Sequence, residues 1–327
     1  MRHPWVSVAI KAAVTLSLIV WLLHRIDLVP VIERVGGIDP AIALAAIVLM
    51  MAQLLLTGWR WAMIARIIGA PMMRDATLRL TLIGQFFNQT LPSAIGGDAV
   101  RAWLLSREGV SLTKAVSGVF ADRVVALVLL VAIVGAMLPA LYARVPAPEL
   151  RASVTLLVVA TAAGVIILLA CGPSLARLLR RHRLTQALAQ LADDLRFVLI
   201  SPGAAAVVAS AVVVHLGVVT SAWLVARALA IDVTLIDCLV LVPPVVLLTT
   251  LPISIAGWGV RESATVIAFG FVGVPPVDAV ALSVVFGLVQ IVIGLPGGAL
   301  WIARPSSPVA ASADQKSTHR PPRSQSP

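Results

Sequence analysis

This chain has little charge. Only 12% of its 327 residues are Asp, Glu, Lys or Arg, against 60% hydrophobic ones. A water-soluble domain carries roughly 25% charged residues, so a soluble globule of this composition could not cover its own surface. Cysteine is far scarcer still, with Cys171 and Cys238 alone. That excludes a disulfide scaffold, and without a CxxC spacing it supports no metal centre; both read as small apolar residues. There is no Walker A run, no GxGxxG after a strand, no HExxH and no GxSxG, so the familiar nucleotide, zinc-protease and serine-hydrolase signatures are missing. The acidic doublet Asp193-Asp194 is a weak candidate for a metal–diphosphate site. No catalytic residue, metal or cofactor is expected.

What remains is an all-α, polytopic membrane protein. Six stretches, 6–23, 41–59, 115–138, 152–170, 203–226 and 278–303, have the length a membrane span needs, about 20 mostly apolar residues. Two others do not read as simple spans. Segment 76–91 carries Arg79, Gln85, Asn88 and Gln89 and stops at Pro92, and segment 233–251 is broken by Pro243-Pro244 and stops at Pro252. Each leads through a Gly-rich turn into a short helix, 98–108 or 262–273. Both read as re-entrant hairpins, which survive at membrane depth only when buried in protein or lining a wet cavity. The N-terminal apolar run has no A-x-A-like cleavage site after it and is kept as the first span.

With the N-terminus cytoplasmic, seventeen of the 25 Lys and Arg, Arg60 among them, fall on the cytoplasmic side and five opposite. This satisfies the positive-inside rule and accounts for the net charge of +10 without a nucleic-acid partner. Arg101, Arg123 and Arg261 stand apart as site candidates. Trp5, Trp21, Trp59, Trp61 and Trp301 fall at span ends, where amphipathic rings anchor. Residues 174–200 place leucines at helical spacing beside a basic cluster, Arg177 and Arg180 to Arg183. That predicts an amphipathic helix on the cytoplasmic face, either a connector shielding the bundle or a contact with anionic lipids. The Pro-, Ser- and Ala-rich stretch 305–327 reads as a disordered cytoplasmic tail, after a membrane domain over 1–304.

The chain also repeats itself. Leu91-Pro92-Ser93-Ala94-Ile95-Gly96-Gly97-Asp98-Ala99-Val100-Arg101 and Leu251-Pro252-Ile253-Ser254-Ile255-Ala256-Gly257-Trp258-Gly259-Val260-Arg261 both follow L-P-x-x-I-x-G-x-x-V-R. A second match follows in order, Gly109-Val110 and Ala115-Val116 against Gly273-Val274 and Ala279-Val280. The halves, about 6–138 and 152–303, each run span, span, hairpin, span. An odd number of spans between the motifs inverts the second half, the pattern of secondary transporters with interrupted helices.

The motif residues suit an anion. Pro92 and Pro252 end the preceding helices, while Gly97, Gly257 and Gly259 permit tight backbone paths. The restarted helices offer N-termini, with Arg101 and Arg261 one turn in. A guanidinium fork takes two phosphate oxygens at once. Asp98, Asp122, Arg123 and Glu262 lie at or inside membrane segments, where charge is costly; they either neutralise the arginines or couple a proton or cation to release. Asn88 and Gln85 either bond a headgroup or brace the hairpin, and His215 reads as an interhelical hydrogen bond.

These motifs carry a family resemblance. Gly84-x-x-x-Asn88-x-x-Leu91-Pro92 with Gly97-Asp98-x-x-Arg101, then Asp122-Arg123, then Pro252-x-x-x-x-Gly257-x-Gly259-x-Arg261-Glu262 resemble the signatures of the lysylphosphatidylglycerol synthase transmembrane region. That is the flippase-like membrane part of the multiple peptide resistance factor. Asp122 stands where Glu is the commoner residue. The resemblance spans about 5–303 and implies a bacterial inner-membrane lipid flippase. Its cargo would be a phosphate-bearing anionic lipid: phosphatidylglycerol-like, aminoacylated, or a lipid-linked sugar or polyprenyl phosphate. About 24 polar residues follow the last span, so no synthase domain is expected there. The alternatives are a non-catalytic partner of a separately encoded glycosyltransferase or lipid synthase, and a membrane-embedded lipid-phosphate enzyme.

Overall fold

The computed structural model describes Leu16, Val20 and residues 28–70, 73–91, 96–178, 183–251, 254 and 256–304. Apart from Leu16 and Val20, the first span expected at 6–23 falls outside them, as do both motif prolines Pro92 and Pro252 and the tail 305–327. Every element among the described residues is a helix. In chain order these are α1 (Leu28–Gly36), α2 (Pro40–Ile67), α3 (Arg74–Thr90), α4 (Gly96–Arg107), α5 (Leu112–Arg144) and α6 (Pro148–Leu178). They continue with α7 (Arg183–Ile200), α8 (Ala204–Ala228), α9 (Leu235–Thr249), α10 (Val260–Gly270) and α11 (Pro276–Ile302). Five of them, α2, α5, α6, α8 and α11, are long and apolar enough to cross a membrane.

Local chemistry sets the boundaries. Asp39 Oδ1 accepts the free amides of Ala41 and Ile42 at the start of α2, with Pro40 in the first turn, as an N-cap should. Thr234 and Asp237 satisfy each other's backbone amides and open α9. Gly109 and Gly273, the second matched pair of the repeat, follow α4 and α10 with φ of +96° and +82°. A left-handed residue after a helix end is what glycine supplies cheaply. One expectation fails here: Pro243 and Pro244 do not break α9, which runs through both. Neighbouring helices tolerate such prolines where they re-satisfy the freed carbonyls, and α9 is packed by α5, α8 and α10.

The helices pack in a two-fold pattern. α2 lies along α8, α3 packs on α4, and α9 packs on α10. The decisive contacts cross between halves: α3 packs against α11, and α9 against α5. At the first crossing α11 presents Gly294, Gly297 and Gly298 to α3, and a Cβ at Gly297 would lie 1.9 Å from the Leu82 carbonyl oxygen. Small residues allow backbones this close without a hydrophobic drive between helices. Ion pairs fasten helix ends: Arg34 with Asp278, Arg144 with Asp237, and Arg79 and Arg304 with Glu108.

The described parts of the segment expected as one amphipathic helix over 174–200 are helical on both sides of residues 179–182, which lie outside the described residues. α6 extends to Leu178 and α7 begins at Arg183. The apolar stripe of α7, Ala192, Leu195 and Val198, is buried, and the latter two sit in a core with Ile64, Ala121 and Val125. That stripe faces protein, as a connector shielding the bundle would. Exposed side chains on α6, such as Leu156, Val159 and Ile166, form an outer apolar face.

Candidate functional site

Helices α2, α4 and α5 bring five charged side chains together. Arg60 Nε donates to Asp122 Oδ1 at 2.8 Å. Arg123 grips both oxygens of Asp98, through Nε at 2.6 Å and Nη2 at 2.9 Å. Arg101 is left with the long contacts, 3.4 Å to Asp98 Oδ1 and 3.7 Å to Asp122 Oδ2. Its guanidinium lies over Trp61, 4.1 Å from the ring centre, a cation–π contact. Arg60, Arg101 and Asp122 are 2%, 3% and 1% exposed, yet the Arg123 side chain is 51% exposed. The cluster is therefore buried at Arg101 and reaches the surface at Arg123.

Three guanidinium groups face two carboxylates here, so one positive charge is left over. The hydrogen-bond count agrees. Arg101 Nε and Nη2 and Arg60 Nη1 are buried without a hydrogen-bond partner. A buried donor without an acceptor bears its full desolvation cost, and a charged one more. Spare positive charge and spare N–H groups at one place are what a phosphate oxygen can satisfy.

Glycines hold the cluster in shape. A Cβ at Gly84 on α3 would lie 2.5 Å from Arg101 Cδ, and a Cβ at Gly97 only 2.0 Å from the Gly84 carbonyl oxygen. Asn88 Oδ1 accepts the Gly97 amide at 3.0 Å. Asn88 thus braces the α3–α4 turn and occupies an amide that was expected to meet an anion.

The second motif is built differently. Ala256, Gly257 and Gly259 all have positive φ, so the turn before α10 is left-handed where the first motif is already helical from Gly96. Arg261 donates to Glu262 Oε1 through Nε at 3.1 Å and Nη2 at 2.8 Å, and Nε also meets Ser283 Oγ at 3.2 Å. Glu262 Oε2 accepts the Gly259 amide at 2.6 Å. Arg261 lies 4.7 Å from the centre of the Trp258 ring and across Gly287, where a Cβ would be 2.1 Å from Nη2. This motif is neutral, with one Arg against one Glu. Gly287→Ala is expected to push Arg261 off Glu262 and Ser283 at a cost of about 1–3 kcal/mol, the usual range for overpacking, read as a lower thermal midpoint in detergent. Gly270→Ala, with nothing within 4 Å of its Cβ, is the control and should leave the midpoint in place.

Of the residues singled out in the sequence, the structure gathers Asp98, Arg101, Asp122 and Arg123 in one cluster and Arg261 with Glu262 in another. No residue is shared between the two. Asn88 and Gly97 are turn braces, and Gly257 and Gly259 shape the second turn. His215 meets the Ala126 carbonyl oxygen at 2.8 Å and joins α8 to α5. Two residues belong to the site that topology had claimed: Arg60, counted among the cytoplasmic positive charges, and Trp61, counted as an interfacial anchor. Both are buried because α2 continues to Ile67. A charged residue almost two turns inside an apolar helix was the signal, since intramembrane charge marks function.

The sequence model of one family, described as the lysylphosphatidylglycerol synthase TM region, matches residues 8–298. Comparison with curated proteins finds no match.

Proposed function

The chain belongs to the lysylphosphatidylglycerol synthase transmembrane-region family, and from that premise we propose that it is a lipid translocase, not an enzyme. Its cargo is a lipid with a phosphate-bearing anionic headgroup, moved across the bacterial inner membrane with both termini of the protein on the cytoplasmic face. One observation carries this reading: the Arg60–Arg101–Arg123 cluster has one positive charge more than its carboxylates neutralise, and three buried guanidinium nitrogens, Arg101 Nε and Nη2 and Arg60 Nη1, lack acceptors. A headgroup phosphate arriving at half-exposed Arg123 competes with Asp98 and then meets Arg101. Asp98 and Asp122 take the guanidinium groups back when it leaves. The recurring order of long helix, short pair, long helix in α2–α5 and α8–α11 supports two inverted repeats that alternate access to such a site.

The test is reconstitution in vesicles containing headgroup-labelled phosphatidylglycerol, with outer-leaflet accessibility followed over time. Wild-type protein should exchange label between leaflets, and Arg101→Ala should stop the exchange while eluting as folded protein. Exchange by Arg101→Ala at the wild-type rate would refute the mechanism. No exchange with any anionic or polyprenyl-phosphate lipid would favour a partner of a glycosyltransferase or synthase.

A further inference from the structure

A cavity of about 170 Å³ lies beside the second motif, between α2, α8, α9, α10 and α11. The headgroup cluster does not use it. Met50, Ala222, Val246 and Phe286 form much of its wall, and Arg261 and Gln290 are among its polar lining residues. Its size is close to that of a dry apolar cavity of ~150 Å³ able to hold a benzene ring. Its charge differs from that of the first cluster. Arg261 is matched by Glu262 and Ser283, and the Gln290 amide oxygen meets Gln89 at 3.3 Å. An anion placed here would be buried without spare positive charge, at high cost. Hydrocarbon loses nothing by entering and fills the space.

We propose that this cavity is a second ligand site, and that it takes a segment of the apolar chain of the transported lipid while the phosphate sits at Arg101. The inference rests on the translocase reading above. Geometry links the two sites through α3: Gly84 abuts Arg101, and Gln89 reaches Gln290 on the cavity wall. Five residues of helix separate them, a rise of about 7.5 Å, well within the reach of one lipid. The two motif arginines therefore have different tasks. Arg101 answers the charge, and Arg261, already neutralised, lines a chain pocket.

The full chain is reconstituted in phosphatidylcholine vesicles containing phosphatidylglycerol with a diazirine on its acyl chain, and in a second arm an isoprenoid phosphate with a diazirine on its chain. After irradiation, adducts are mapped by mass spectrometry. Adducts are expected on peptides holding Met50, Ala222 and Phe286 in at least one arm, and the arm that labels names the chain type. Ala222→Phe, and independently Val246→Phe, should lose these adducts. Adducts on the outer apolar face of α6, at Leu156, Val159 and Ile166, should remain and show that the variant is folded in the bilayer. Absence of cavity adducts from both probes, or their survival in both folded variants, overturns the proposal. Cavity adducts without headgroup exchange would keep the chain site and refute the translocase reading instead.

Discussion

Asp122→Ala is expected to destabilise the protein by about 3–5 kcal/mol, the usual cost of removing one partner from a buried ion pair. Among the described residues Asp122 is the one ion-pair partner of Arg60 and the second carboxylate within reach of Arg101. Without it the cluster goes from one surplus positive charge to two, in a place where charges cannot be hydrated. The measurement is the recovered monodisperse fraction and the thermal midpoint in detergent. The cause can be isolated by a second change. Arg60→Met in the same chain removes the orphaned cation and restores the surplus to one, so the double variant should regain most of the loss. If it is no more stable than Asp122→Ala alone, charge imbalance is not the reason. Residues in one ion-pair network couple by up to about 3 kcal/mol, large enough to read.

Gly97→Ala should have an effect of similar size by a different route. Its Cβ would lie 2.0 Å from the Gly84 carbonyl oxygen and 2.5 Å from Asn88 Oδ1. The first is backbone and cannot rotate away, so α4 must part from α3, and the cost exceeds the roughly 1–3 kcal/mol of ordinary overpacking. Gly84→Ala makes the instructive contrast. Its Cβ meets Arg101 Cδ and Cγ at 2.5 and 2.6 Å and the Gly97 carbonyl oxygen at a milder 3.2 Å, so the main displacement falls on a side chain. That variant should remain folded, lose about 1–3 kcal/mol, less than Gly97→Ala, and lose headgroup exchange because Arg101 has moved. Equal thermal losses in the two variants would contradict this account.

Much of the fold was legible in the sequence because membrane helices announce themselves by length and apolarity. The spans expected at 41–59, 115–138, 203–226 and 278–303 are the cores of α2, α5, α8 and α11, each helix running as far as its caps allow. The charged motif residues were legible for the same reason, as rare charges in apolar surroundings. Pairing was not. Asp98 binds Arg123 from the next helix, and Asp122 binds Arg60 from an earlier one; such choices depend on packing geometry, which hydropathy does not contain. Arg60 and Trp61 were missed because a charge near a span end and a tryptophan beside it look like an interface. Only the extra turns of α2 beyond them reveal otherwise. The matched motifs also hid their difference. Both contain Gly and Arg at the same spacing, yet one is helical from Gly96 and carries surplus charge, while the other turns through left-handed residues and is neutral.

The crossed packing of α3 on α11 and α9 on α5 bears on how the protein is made. Synthesis delivers the first half early, but the α3 face at Leu82 and Phe86 waits for Gly294, Gly297 and Gly298, which come about 200 residues later. Until then a strip of backbone shaped to receive a glycine-lined helix has no partner. The half-made protein is thus a clasp with one side missing, and its closure depends on α11, a helix of the second half. Truncations that remove α11 should then be poorly folded across the whole molecule, with the damage reaching the Arg101 cluster through the very helix that carries Gly84.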